Sequence, residues 1–292
     1  MTVQTVYENI TNRIIEQLEK GVIPWRKTWQ ADSEGNIFPK NFVTKKAYRG
    51  ANPFFLACQG FSSNYWLTFN QAKALGGNVK KGEKSTPVIF WKWIEKQKDV
   101  LHEKDFFPCI KYYNVFNLDQ CDGIQQPPAI VPDKTIFEPI QACENVLASL
   151  PLGMPEITHN ESRAYYSPVR DFVNMPKKEL FDSPENYYAV LFHELTHATG
   201  HKSRLNREGV QGESSFGDTV YSKEELIAEF GASFLCGYTG IETSTIENSA
   251  AYISNWLSKL RSDSKLIIQS GAQAQKAIDY LLNIKFEEKE DA

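Results

Sequence analysis

The sequence predicts an α+β protein made of two domains in tandem, and three observations carry that reading. First, a proline-rich stretch, Gln125-Gln126-Pro127-Pro128-Ala129-Ile130-Val131-Pro132, interrupts the chain near its middle with the composition of a linker. Second, the charge changes sign across it. Residues 1–130 carry 17 Lys and Arg against 12 Asp and Glu, a balance of +5, whereas residues 131–292 carry 15 against 24, a balance of −9. Third, the pattern changes from short strands rich in aromatic residues to long stretches of helical periodicity. At 292 residues and 41% hydrophobic, the chain is long enough for two domains with their own cores. The predicted boundaries are 1–128 for the first domain, 129–145 for a linker and 146–292 for the second.

The front half begins with apolar residues at Val6, Ile10, Ile14, Ile15 and Leu18, the spacing of an amphipathic helix over 4–20 that Gly21 ends. Pro24-Trp25-Arg26-Lys27-Thr28-Trp29 then sets two tryptophans around two cations. Tyr65–Phe69 reads as a strand, with Asn70 placed to cap a short helix running to Leu75. Gly76–Lys84 is a basic turn feeding a strand over Pro87–Trp93, and Lys111–Asn117 is another strand.

Cations interleaved with rings are what a single-stranded nucleic-acid binder requires. The cations follow the phosphates and the rings stack on bases, each stack worth about 1–3 kcal/mol without demanding a sequence. Aromatic residues are also strand formers, and most of these rings have to build the core. The candidates for the interface are Trp25, Arg26, Trp29, Tyr48, Arg49, Lys80, Lys81 and Lys84. The absence of a zinc-finger, helix-turn-helix or RNP pattern argues against sequence-specific reading of a duplex.

In the back half, Ala164–Pro168 and Asp171–Pro176 read as strands. Ser183 then reads as the N-cap of a helix, with Pro184 in its first position and Glu185 in its first turn. An apolar run, Tyr188–Phe192, leads into His193-Glu194-Leu195-Thr196-His197, and Gly200 ends the helix. His193 and His197, four residues apart, project from one helical face and can share a Zn2+ ion. Glu194 is placed to take a proton from a water that the ion acidifies. His-Glu-x-x-His arises by chance in roughly one chain per hundred of this size. Three of the five histidines fall between His193 and His201, which argues against coincidence.

The site needs a third protein ligand. Ten positions after His193, where one class of such enzymes has a histidine, stands Ser203, and His201 is expected to line the pocket. The better source is Ser222–Ala232, where Ser222 reads as an N-cap and Glu225 as its capping-box partner. Glu225 and Glu229 lie one turn apart on one face, with Ala228 and Ala232 small enough for close packing of helices. By analogy with gluzincin peptidases Glu225 is the ligand and Glu229 supports a histidine, but the reverse assignment stays open. The loop 202–221, with Gly209, Gly212 and Gly217, is a candidate cover for the cleft. Residues 245–284 read as two bracing amphipathic helices, and the tail from Glu287 as a charged end.

The five cysteines are odd in number, scattered and without a C-x-x-C, which indicates reduced thiols in a cytoplasmic protein. No leader pattern and no run of eighteen apolar residues is visible, so neither secretion nor a membrane partner is expected.

Several stretches together resemble one family. They are Leu18–Trp29, Pro39-Lys40-Asn41, Tyr48-Arg49-Gly50-Ala51-Asn52, Trp66-Leu67-Thr68-Phe69, Lys81-Gly82-Glu83-Lys84 and Tyr113-Asn114-Val115-Phe116-Asn117. The histidine stretch through His201 and Arg204-Leu205-Asn206-Arg207 continues the match. In register over nearly the whole chain, they are similar to ArdC-type antirestriction proteins, which are plasmid-encoded. The resemblance implies an N-terminal single-stranded-DNA-binding domain, akin to one found in some conjugative primases, and a C-terminal zincin-like metallopeptidase domain. It implies protection of incoming conjugative DNA from host restriction, with single-stranded DNA as partner and a restriction-system protein as a possible peptidase target. Zn2+ is the expected metal, and Mn2+ or Co2+ suits the same ligands. Two other readings stay open: a DNA-shielding protein whose metal site is structural or dispensable, and a protease or regulator whose front domain binds protein.

Overall fold

The computed structural model describes residues 3–23, 39–57, 59–97, 104–125, 139–211, 219–241 and 250–284. Helix α1 (Val3–Glu19) presents Tyr7, Ile10, Ile14 and Leu18 to the interior, the three- and four-residue spacing of a single buried stripe.

Strand β1 (Lys40–Asn41), helix α2 (Asn52–Ala57), strand β2 (Tyr65–Thr68), helix α3 (Phe69–Ala74) and strand β3 (Asn78–Val79) follow. Long strands β4 (Thr86–Gln97) and β5 (Lys104–Asn117) and short β6 (Cys121–Asp122) complete the front half. The main sheet has the order β1-β2-β5-β4, parallel between β1 and β2 and antiparallel elsewhere, and β3 pairs with β6 beside it. Helix α3 is capped by Thr68 rather than Asn70. The Thr68 hydroxyl accepts from the Gln71 N–H while the Gln71 side chain accepts from the Thr68 N–H, a reciprocal box that Asn70 is two residues too late to form.

The back half opens with α4 (Pro139–Ala148), whose Cys143 is buried, so residues 139–145 of the expected linker are helical. Residues 126–138 lie outside the described part. Strands β7 (Glu156–Thr158), β8 (Tyr165–Ser167) and β9 (Phe172–Asn174) form a small sheet in the order β7-β9-β8. Helices α5 (Pro184–Thr199), α6 (Glu208–Gln211), α7 (Thr219–Thr239), α8 (Ala250–Ser262) and α9 (Leu266–Leu281) follow. As expected, Ser183 caps α5, its hydroxyl accepting from the Asn186 N–H, with Pro184 in the first turn.

Two separate cores were the expectation, and the main core is instead shared. Ile10, Ile14, Phe54 and Ile89 from the front belong to one cluster with Leu191, Phe192, Phe230, Phe234, Ile267 and Ile278 from the back. The front sheet keeps two small clusters of its own, around Trp66 and around Leu67. Polar ties reinforce the joint. Arg49 pairs with Asp279, the Gly50 N–H donates to Gln275 Oε1 at 3.2 Å, and Thr11 Oγ1 donates to the Ser264 carbonyl at 2.7 Å. Ile10, Ile14, Phe54 and Ile89 come from α1, α2 and β4, and the helical back half supplies the layer that covers them.

Candidate metal centre

Helix α5 carries both histidines on its face toward α7. The two Nε2 atoms lie 3.1 Å apart, and the Glu225 carboxylate of α7 straddles them, Oε2 lying 3.6 Å from His193 Nε2 and Oε1 3.6 Å from His197 Nε2. Two donors about 2.1 Å from a shared tetrahedral ion stand roughly 3.4 Å apart, so these three spacings fit a single divalent metal. Among the described residues, this is the group of three His, Cys, Asp or Glu side chains arranged to hold one. Two imidazoles and a carboxylate suit Zn2+ and are also compatible with Mn2+.

Surrounding charge favours a cation here. Burial works against protonation of His193, but the Glu225 hydrogen bond and the charges of Glu194, Glu229 and Glu225 outweigh it, and its pKa is pushed up to about 9. Glu194 is buried beside His193.

Close approach of α7 to α5 depends on Gly231. A Cβ there would overlap the side chain of Thr196, the residue just before His197. Ala228 and Ala232, the small residues the sequence offers for this packing, are both buried, and Gly231 is a further position with no room for a Cβ. Ser222 is not the N-cap of α7, because the helix already runs from Thr219 and Ser222 lies buried within it. Glu225 is therefore not committed to a capping box and turns to the histidines.

Of the two open ligand candidates, Glu225 stands with the histidines. Glu229 is buried near His193, outside the three-donor cluster. His201 faces elsewhere, with Nδ1 2.7 Å from Ser203 Oγ and 3.9 Å from Asp171. The residue sequence reasoning missed is Glu224, whose carboxylate lies 3.2 Å from His197 Nδ1. Its only sequence signal was its place beside Glu225. Arg207 holds Glu224 through two N–H donors, at 2.9 and 2.7 Å. Burial pushes the thiol of Cys143 up to about 11 and that of Cys236 well above its ordinary value, leaving both protonated.

The expected nucleic-acid residues are scattered. Trp25, Arg26 and Trp29 lie outside the described residues. Tyr48 is only 4% exposed and packs with Leu56, Trp66, Val88 and Val115, so its ring has no face free for a base. Arg49 is drawn toward α9 by Asp279. Lys80 donates to the Asp119 carbonyl at 2.8 Å, while Lys81 and Lys84 are exposed in the turn before β4. Among the described front-half rings that reach solvent, Phe69 is 53% exposed at the start of α3, and Phe90 and Tyr113, 42% and 47% exposed, form a pair on the sheet, edge to face with centroids 5.5 Å apart. Exposed Lys111 stands opposite Phe90 in the sheet register. The sequence places Phe90 and Tyr113 in strands and gives them no binding role, since alternation alone does not reveal which face is left uncovered.

Comparison with known proteins agrees with this architecture. Residues 4–116 match the N-terminal domain of anti-restriction factor ArdC, and residues 144–273 match a zincin-like metallopeptidase domain. The solved metal-free structure of the antirestriction ArdC protein from the R388 plasmid is 39% identical, with a TM-score of 0.73, over 94% of this chain and 96% of that one. This chain belongs to the ArdC antirestriction family.

An Mn(II)-bound structure of the same R388 ArdC protein aligns equally well, over 95% of this chain and 97% of that one. Two DNA primases TraC from Escherichia coli are 36% and 34% identical over 97% of the chain. The chain spans only 27% and 20% of their length, so the ArdC-like unit is one part of those larger proteins. An uncharacterised protein, y4eC of Sinorhizobium fredii, is 34% identical over 94% of this chain and 91% of its own. No helix among the described residues is long and apolar enough to cross a membrane.

Proposed function

We propose that this ArdC-family protein binds single-stranded DNA through its front half, protects incoming conjugative plasmid DNA from host restriction, and carries a metal-dependent peptidase centre. The observation that carries the enzymatic part is the convergence of His193 Nε2, His197 Nε2 and the Glu225 carboxylate at spacings fitting one ion. A bound divalent ion supplies Lewis acidity to a peptide carbonyl and to an attacking water. His193, His197 and Glu225 hold the ion, and the Glu194 carboxylate receives the proton from the water and passes it to the leaving amine. The peptidase target is a protein of the host restriction system.

For DNA, Phe90 and Tyr113 offer faces for stacking, with Lys111, Lys81 and Lys84 as phosphate contacts. Trp25, Arg26 and Trp29, outside the described residues, remain proposed DNA contacts on their sequence pattern alone. Tyr48 supports Phe90 from beneath, with ring centroids 6.3 Å apart.

The test is protection of transferred DNA in a host with a type I restriction system, comparing wild type with Glu194→Ala. Lost protection with folding and DNA binding retained supports a catalytic centre. Unchanged protection overturns the peptidase mechanism for this role and leaves DNA shielding by the front half.

A further inference from the structure

We infer that Glu224, clamped by Arg207, is the positioning residue that aims His197 at the metal. The inference rests on reading His193, His197 and Glu225 as a metal centre. A histidine can offer Nε2 to a cation only if that nitrogen is unprotonated, so the proton of the neutral ring must sit on Nδ1 and needs an acceptor. Glu224 Oε1, 3.2 Å from His197 Nδ1, is that acceptor.

Glu224 is itself held from the other side. Arg207 Nε donates to Oε2 at 2.9 Å and Nη2 to Oε1 at 2.7 Å, the paired geometry that fixes a carboxylate in plane and position. Glu224 is 4% and Arg207 6% exposed, so water does not loosen the pair. The remaining donors of Arg207 reach back to the metal helix: Nη1 to Thr199 Oγ1 at 2.6 Å and Nη2 to the Thr196 carbonyl at 2.7 Å. A guanidinium at the C-terminal end of α5 also suits the negative end of the helix dipole. Gly200 leaves room for it, because a Cβ there would crowd Arg207 and overlap Val210. One arginine thus ties the end of the ligand helix to the carboxylate that orients its second histidine.

The role is separable from a purely structural ion pair. Replacing both partners by apolar residues of similar size removes the acceptor while leaving no unpaired buried charge, and such exchanges often preserve stability. We would measure Mn2+ and Zn2+ affinity of the full chain, the Co2+ absorption spectrum and metal-free melting for wild type, Glu224→Gln and the double variant Glu224→Met with Arg207→Met. The expected result is metal-free melting of the double variant close to wild type, with metal affinity about 10–100-fold weaker and an altered Co2+ spectrum. Glu224→Gln, which keeps an oxygen acceptor, should fall between the two in affinity. Affinities within twofold of wild type, or losses that merely follow the loss of melting temperature, would overturn the inference. If wild type itself binds neither Mn2+ nor Zn2+, the metal centre falls and this role with it. If wild type binds and the variants bind equally well, only this role falls.

Discussion

Phe54 of the front half stacks on Phe230 of α7, with ring centroids 4.1 Å apart and planes inclined by 28°. Phe230 lies on the helix that carries Glu224 and Glu225, so the seam between the halves backs directly onto the metal site. Phe54 also meets Phe234, with centroids 4.9 Å apart, and is fully buried.

Phe54→Ala is therefore expected to destabilise the whole molecule by about 3–5 kcal/mol through loss of buried area and the cavity left behind. Because the core is shared, both halves should unfold in one transition. Denaturation followed by far-ultraviolet circular dichroism and by tryptophan fluorescence checks this, and two separated transitions in wild type would contradict it.

Metal should raise the melting temperature. With free ion at about 100 times its dissociation constant, the stabilisation amounts to about 2.7 kcal/mol. Glu225→Gln removes a donor and should abolish most of that shift, whereas Glu229→Gln, outside the three-donor cluster, should keep it. A larger loss for Glu229→Gln would exchange the two assignments.

Gly231→Ala should strain the crossing of α5 and α7 at Thr196, at a cost of about 1–3 kcal/mol. The same displacement moves Glu225 away from the histidines, so metal binding should weaken as well. Thermal melts with and without Mn2+ report both effects.

Phe90→Ala and Tyr113→Ala should each weaken binding of mixed-sequence single-stranded oligonucleotides by about 1–3 kcal/mol. Lys81→Ala and Lys84→Ala should each flatten the plot of log affinity against log salt by about 0.7. Gel shifts at several salt concentrations measure both, and a slope near zero in wild type would remove the phosphate contacts altogether.

Stability should depend on pH through Asp171. Its hydrogen bonds from Arg204, together with one from the Tyr166 hydroxyl, hold its carboxyl below the usual aspartate range despite partial burial. A folded-state pKa below the unfolded one means this contribution is complete above the unfolded value of 3.8 and is lost as pH falls through the lowered folded value. Asp171→Asn should flatten the acid limb of the stability curve without adding a new transition near neutral pH. Equilibrium unfolding between pH 2 and 6 is the check.

Much of the site was legible from local rules. The helix of His193 and His197 follows from its cap at Ser183, its proline at position 184 and its apolar run, all of which act within a few residues. The cap of α3 was misplaced by two residues because Thr68 and Asn70 are both acceptable caps, and only the reciprocal bond with Gln71 separates them. Ser222 failed as a cap for a similar reason: a cap pattern inside a longer helix looks the same as one at its start.

What the sequence determined by itself was therefore the first helix, the strands around Trp66 and Val88, the helix of the two histidines with their glutamate, and the membership that its spaced motifs imply, since each is encoded by neighbours along the chain, whereas α2, α4 and β7 were not read from it. What only the tertiary structure decided was which carboxylate meets the histidines, that Glu224 and Arg207 stand behind His197, that Tyr48 is buried while Phe90 and Tyr113 are bare, and that the two halves share one core. Those outcomes depend on how α7 docks on α5 and how the front sheet docks on the helices. Docking is set by the packing of surfaces contributed from distant parts of the chain, and no periodicity within a single segment records it.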